Sequence, residues 1–361
     1  MNILREIVNK IFSVKKSSME KEIFQQSDII FELIRKYVKK DYSINIDIPE
    51  NVLKIALIAS GSSYHSATIA ANFLREKVHC EAQSYYASEV ALAESFDVDS
   101  STLYIFISQS GETSDTNKAL DRIKIKTDKT LAVTNTKNST LFNNTKYKLL
   151  TCAGIEKSIA STKAMSAQLF CLLLIAAKIM QQKELPARAF VEELLCVPEY
   201  IKETFLKRSE IKKYSKILAN YENAAILASG MFYPLAKEGA LKIKETSYIN
   251  TTAYPTGEFL HGHIAILNKK CAVIAIVNNQ NIQFTLDVLN KINKEYNTDS
   301  LILSAFPLPN IVNNDLIYIQ SSVDIDFLFS ALVIFQLLAF ETASFLKRNV
   351  DKPDGLEKVV K

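Results

Sequence analysis

Cysteine is scarce and scattered. Cys80, Cys152, Cys171, Cys196 and Cys271 stand far apart, with no CxxC pair and no clustered histidine. That spacing argues against a disulfide framework and against a zinc site, and the five are read as reduced thiols in the core. Charge of one sign is missing too: Lys+Arg 43 against Asp+Glu 39 leaves +4 without a basic block, so nucleic acid is not an expected partner. Long hydrophobic runs are also absent. The longest uninterrupted apolar stretch, Leu169–Ala177, stops at Lys178, far short of the ~20 residues that span a bilayer. The segment Phe327–Phe340 is interrupted by Ser330 and Gln336 and reads as a buried helix. Met1–Val14 mixes Arg5, Glu6 and Lys10, with no apolar signal core or cleavage site. No membrane contact and a cytoplasmic address are expected. With eight glycines, eight prolines and 48% hydrophobic residues, the 361-residue chain has the composition of a globular protein with one large or two medium domains.

What is present is an alternation of two periodicities. Residues 17–40 place Met19, Ile23, Ile29, Ile30, Leu33, Ile34 and Tyr37 at roughly helical spacing. Beyond Pro49, the strand candidate Leu53–Ala59 runs into Ser60-Gly61-Ser62-Ser63 and a helix over Tyr64–Arg75. Thr102–Ile107, Lys129–Thr134 and Tyr147–Thr151 are further strand candidates, and a long helix is expected over Ser161–Gln181. Strands alternating with helices imply an α/β fold with parallel sheets. The pattern then recurs: Ile58-Ala59-Ser60-Gly61-Ser62-Ser63-Tyr64 is similar to Leu227-Ala228-Ser229-Gly230-Met231-Phe232-Tyr233. Strand candidates at Ala272–Val277, Ser300–Ser304 and Leu316–Gln320 and a helix over Ile325–Leu346 follow. The expected organisation is a helical segment (1–45), a first α/β subdomain (46–185), a helical linker (186–215), a second subdomain (216–347) and a tail (348–361).

In parallel α/β sheets ligands bind beyond the carboxyl ends of the strands. Ser108-Gln109-Ser110-Gly111-Glu112-Thr113 lies at such an edge, between a strand and a helix. Its hydroxyls and the free N–H groups of a helix start suit a phosphate, with Gly111 allowing close backbone approach. Helix capping is the structural alternative, although one cap needs one hydroxyl. Gly61-Ser62-Ser63 and Ser161-Thr162 occupy equivalent positions and are open to the same two readings. Farther on, Glu238, Lys242 and Glu245 share one helix face, as a solvated salt-bridge row or as working groups. His261 and His263 flank Gly262 in a polar turn.

Taken together, these segments resemble the sugar isomerase (SIS) family, and within it the isomerase half of the glucosamine-6-phosphate synthases. The resemblance covers about residues 17–361 and rests on Glu20–Ile23, Gly61–Tyr64, Ala87–Glu89, Ser108–Thr113 with Asp115, Ala160–Ala164, Glu238–Glu245, Gly257-Glu258 with His261-Gly262, and Val350–Pro353 with Leu356 and Lys358. It implies two tandem SIS subdomains, each a parallel sheet flanked by helices in a flavodoxin-like three-layer sandwich, and a homodimer with a shared active site. It implies a phosphosugar enzyme without metal or cofactor, interconverting fructose 6-phosphate plus ammonia and glucosamine 6-phosphate. A deglycase or isomerase for another amino-sugar phosphate, or a non-catalytic sugar-phosphate sensor, are the alternatives. By resemblance Ser108, Gln109, Ser110 and Thr113 hold the 6-phosphate, while Ser63, Ile159 and Ser161 touch the sugar. Glu245 would carry a proton between C1 and C2 with help from Lys242, and Lys358 would form a Schiff base. His261 would assist ring opening from the neighbouring subunit. The synthases also carry a glutaminase domain with a terminal cysteine nucleophile. Here the sequence starts Met1-Asn2-Ile3 with no cysteine before Cys80, so ammonia or a separate glutaminase subunit is the expected nitrogen source. His263 stands where the synthases have proline, and the tail differs beyond Lys358.

Overall fold

Most of the β-rich runs become interior strands. In the computed structural model, which describes residues 17–267, 270–298, 300–308, 314–321 and 323–358, β1 (Lys54–Ala59), β3 (Leu103–Ser108) and β4 (Thr130–Thr134) are buried along almost their whole length. Strands covered by helices on both faces require that. With β2 (Glu81–Tyr86) and β5 (Tyr147–Leu150) they form one parallel sheet ordered β2-β1-β3-β4-β5. The second half supplies β6 (Asn223–Ala228), β7 (Asn250–Pro255), β8 (Cys271–Val277), β9 (Ser300–Ser304) and β10 (Asn314–Tyr318), also parallel, ordered β7-β6-β8-β9-β10. Both sheets therefore follow the same 2-1-3-4-5 path of doubly wound folds. Gly61 and Gly230 open equivalent turns at φ +56° and +57°. The expected duplication is present in three dimensions. The expectations for Met1–Val14 and for residues 359–361 lie outside the described residues.

The helices are α1 (Ser18–Phe24), α2 (Gln26–Tyr37), α3 (Gly61–Lys77), α4 (Ala87–Leu92), α5 (Ser114–Lys124), α6 (Thr140–Asn144), α7 (Lys163–Gln182), α8 (Ala187–Leu206), α9 (Arg208–Leu218), α10 (Phe232–Ser247), α11 (Ile282–Tyr296) and α12 (Asp324–Phe345). The halves meet where α3 packs on α10 and α1 on α12, and α8, between them in sequence, packs on both α2 and α12. One continuous apolar core runs through both halves, with a smaller cluster beneath the far face of each sheet. Two helices, α7 and α12, are long and apolar enough to cross a membrane, but 89% and 100% of their apolar windows are buried inside the fold. They are the central helices of the core, and some of their polar residues tie neighbouring helices together. Gln26 Nε2 donates to Gln336 Oε1 at 2.7 Å, tying α2 to α12, and Ser166 of α7 bonds the Gln26 side-chain oxygen.

Two sequence expectations need correction. Only Cys80, Cys171 and Cys271 are buried thiols; Cys152 and Cys196 are exposed. Cys152 occupies a left-handed turn at φ +50° just after β5, and Cys196 lies on α8 outside its apolar face. The edge strands β2 and β7 were not among the expected strands. Each buries a single residue, Ala82 or Thr251, and neither contains an apolar run.

Candidate active site

The register of β1 on β3 pairs Ala59 with Ile107, so Ser60 and Ser108 leave the sheet at the same edge. The segment that follows β5 joins them there, and the C-terminal tail folds over the opening. Together with α10 these segments enclose a cavity of roughly 330 Å³. Its lining includes every sequence-predicted binding residue, namely Ser63, Ser108, Gln109, Ser110, Thr113, Ile159 and Ser161. Lys242 and Glu245 of α10 and Lys358 of the tail line the same space. Of the sequence-predicted site residues, only His261 lies elsewhere. It is exposed in the turn after the short 3₁₀ segment Glu258–Leu260 and does not line this cavity.

The capping alternative can be tested at each helix start. The N-cap residues Ser60, Thr113 and Thr162 make no side-chain cap bond to α3, α5 or α7. The hydroxyls are used otherwise. Ser108 Oγ lies 2.9 Å from Thr113 Oγ1 and accepts the Gly111 N–H at 3.1 Å, and Ser110 Oγ accepts the Glu112 N–H at 3.1 Å. The loop is thus shaped by its own serines, while the first turn of α5 keeps its N–H groups free of side-chain caps, as an anion site requires. Gly111 has φ +68°, and a Cβ there would lie 2.1 Å from Ser139 Oγ. Its close neighbour is therefore the start of α6, not the space a ligand would occupy. Ser63 Oγ donates to Gln168 Oε1 of α7 at 2.9 Å.

The charged face of α10 is not solvated. Glu238 and Lys242 have 0% and 1% of their side chains exposed, and Glu245 has 21%. Lys242 Nζ is 2.5 Å from Glu245 Oε2 and 3.7 Å from Glu238 Oε1. Burial opposes the Lys242 charge, yet the carboxylates of Glu245 and Glu238 outweigh it and hold the ammonium above the ordinary lysine range. Burial likewise opposes the Glu238 charge, but Lys242 and His65 hold that carboxyl below the usual range. Glu245 is therefore backed by a fixed cation, the arrangement that orients a carboxylate base. Removing Lys242 would strand buried charge at a cost of about 3–5 kcal/mol.

Sequence reasoning missed the groups that fix the site from behind. Glu156, fully buried, takes the N–H groups of Thr162 and Ala164 at 2.9 and 3.0 Å and so caps α7 from the preceding loop. Its other oxygen holds Lys358 Nζ at 2.6 Å, and the Ser158 carbonyl holds the same ammonium at 2.7 Å. Glu22 of α1 accepts the Lys157 N–H at 2.5 Å and pins the same loop. Asp351 accepts the N–H groups of Ser18 and Met19, both at 2.8 Å, so the tail caps α1. The Asp354 N–H then donates to Tyr248 Oη at 2.7 Å. Glu22 and Asp351 do fall inside the segments that carried the resemblance, but spacing alone assigns them no partner.

Comparison with known proteins agrees with this architecture. The SIS domain model matches residues 50–178 and 217–343, one match per sheet. A glutamine–fructose-6-phosphate aminotransferase (isomerizing) from Campylobacter jejuni is 35% identical over 350 residues, which is 95% of this chain but 58% of that protein. The chain thus spans less than two thirds of the curated relatives it matches. The solved C-terminal domain of a glucosamine-fructose-6-phosphate aminotransferase from Francisella tularensis superposes with TM-score 0.89 at 28% identity, covering 94% of this chain and 99% of that one. A glucosamine-6-phosphate deaminase from Thermotoga maritima shares the fold, with TM-score 0.77 at 22% identity over 95% of this chain and 99% of its own. With a match in each half, the same strand order in both sheets and one cavity at the strand ends, this chain belongs to the SIS domain family.

Proposed function

We propose that this chain is an amino-sugar phosphate isomerase that interconverts fructose 6-phosphate plus ammonia and glucosamine 6-phosphate. The observation that carries the reading is the meeting of the Ser108–Thr113 loop and the Lys242–Glu245 pair in one cavity. A phosphate cradle alone would suit a sensor; a buried cation backing a carboxylate adds a base. The names of the relatives support the substrate class, being aminotransferases of fructose 6-phosphate.

Ser108, Gln109, Ser110 and Thr113 with the start of α5 hold the 6-phosphate, and Ser63, Ile159 and Ser161 align the sugar chain. The Lys358 amine leaves Glu156 and attacks the C2 carbonyl, giving an imine and water. Ammonia then adds to that imine and expels the Lys358 amine, leaving a cationic C2 imine that carries the incoming nitrogen. This imine accepts the electron pair left when Glu245 removes a C1 proton, and the same carboxylate returns that proton to C2 while the C1 hydroxyl gives up its proton to water, leaving a C1 aldehyde and a C2 amine. Lys242 keeps Glu245 oriented across the transfer. The nitrogen arrives as ammonia, free or from a separate glutaminase subunit. His261, exposed and away from this cavity, opens the sugar ring of a partner subunit in a homodimer. The working units are residues 46–185 and 216–347, joined by 186–215, preceded by 1–45 and completed by the tail 348–361, in a cytoplasmic enzyme.

The test is ammonia release from glucosamine 6-phosphate beside amino-sugar formation from fructose 6-phosphate, with and without ammonium. Turnover in either direction is expected, and Glu245→Gln should abolish solvent-deuterium exchange at the sugar carbon while leaving phosphosugar binding within a few-fold of the parent. Failure of both sugars to react at any ammonium concentration refutes the proposal.

A further inference from the structure

The Lys242–Glu245 pair does not end at Lys242. Behind it, Glu238 is fully buried, and its Oε1 lies 3.7 Å from Lys242 Nζ without a hydrogen-bond partner. Its Oε2 is 2.7 Å from Nδ1 of His65. His65 belongs to the first turns of α3, in the other half of the chain, two residues beyond Ser63 of the sugar loop. Its ring is 12% exposed. Glu238 is ionised, so it can only accept, and the contact fixes the His65 tautomer with the proton on Nδ1. The Ser62 hydroxyl is the other donor facing that carboxylate.

Two carboxylates on α10 thus compete for one ammonium, and the distances show which wins: 2.5 Å to Glu245 against 3.7 Å to Glu238. A buried carboxylate without enough donors would take the cation for itself, because leaving it unpaired costs more than stretching a pair whose carboxylate is 21% exposed. The other charged groups near Lys242 are Glu156, which also acts on it electrostatically, and Lys358, Asp115 and Glu357 on the cavity wall. None of these is a hydrogen-bond partner of Glu238.

We infer that His65 is a positioning residue for the reaction, occupying Glu238 so that Lys242 stays on the base Glu245. The assignment rests on the proposed function and adds to it a residue that never touches the sugar. It also links the loop that binds the sugar to the helix that carries the base, through a single imidazole between the two subdomains.

The experiment compares His65→Ala and His65→Asn with the parent in steady-state kinetics and in crystals. The Asn amide offers a donor in the Nδ1 position and guards against a folding defect of the alanine variant. For His65→Ala, kcat should fall roughly 10- to 100-fold, the range for a lost hydrogen bond to a charged group, with KM for the sugar phosphate within about twofold. His65→Asn should recover most of the loss. Unchanged kcat, a change confined to KM, or equal losses in both variants overturns the inference. The crystal structure of His65→Ala is a readout independent of turnover, so that an inactive parent would sink the proposed reaction and not this assignment. Lys242 Nζ should sit nearer Glu238 than Glu245, and an ammonium still seated on Glu245 overturns the inference.

Discussion

Replacing Asp326 by asparagine should stabilise the protein at alkaline pH and leave it little changed in acid. Asp326 lies in the first turn of α12, is 3% exposed, and has an Oδ1 without a hydrogen-bond partner. Burial and the nearby carboxylates of Glu193 and Glu203 on α8 push its pKa up to about 7 from 3.8. The other ionisable groups around this cluster are Cys196, Tyr200, Asp324 and Lys77. In the unfolded chain the same carboxyl ionises near the ordinary value, so the folded state holds an extra proton between the two. The associated stability is complete below about pH 4 and is lost as pH rises through about 7. A shift of about three units corresponds to ~4 kcal/mol at ~1.4 kcal/mol per unit. Relaxation and water entry at real interior sites reduce that to ~2 kcal/mol. Urea unfolding at several pH values measures it. The parent should lose ~2 kcal/mol between pH 4.5 and pH 8.5 relative to Asp326→Asn. Parallel curves for the two proteins would show that Asp326 ionises normally and that the reasoning is wrong.

Gly239→Ala should destabilise by about 1–3 kcal/mol, because a Cβ at that point of α10 would lie 2.6 Å from the Phe335 ring of α12; a melting temperature equal to the parent's refutes the close packing. Changing both Ser108 and Ser110 to alanine should raise KM for the phosphorylated sugar at least tenfold, since each loses a charge-assisted contact, and an unchanged KM moves the phosphate elsewhere. Mixing inactive His261→Ala and Glu245→Gln protomers should restore part of the activity, because some sites in the mixed dimer receive both intact groups. No recovery in verified mixed dimers refutes a site shared across subunits.

Much of the fold was legible because its interior strands are short apolar runs that only a doubly covered sheet accommodates; Ser300–Ser304 begins and ends where expected. Two of the four edge strands were not, because Glu81–Tyr86 and Asn250–Pro255 each bury a single residue and resemble polar loops. The three polar turns were located by their place after strands. Their hydroxyls could not be told from helix caps until the caps proved unused. Spacing put Glu238, Lys242 and Glu245 on one face of α10, but only packing against α3 shows that two of them are sealed from water. Glu156, Gln168 and His65 were invisible for a common reason. Each acts on a partner distant in sequence, and no local pattern encodes that meeting.

The fastening of the tail sets how freely its lysine can travel. With Asp351 seated on α1 and Asp354 hung from Tyr248, Lys358 lies four residues beyond the last anchor, an arm of about 13 Å at full stretch. In the proposed reaction, an amine on so short a leash drops its carboxylate and strikes a bound carbonyl without drifting into bulk water. Its encounter with substrate would then be governed by a local concentration in the millimolar range, whatever the dilution of the protein.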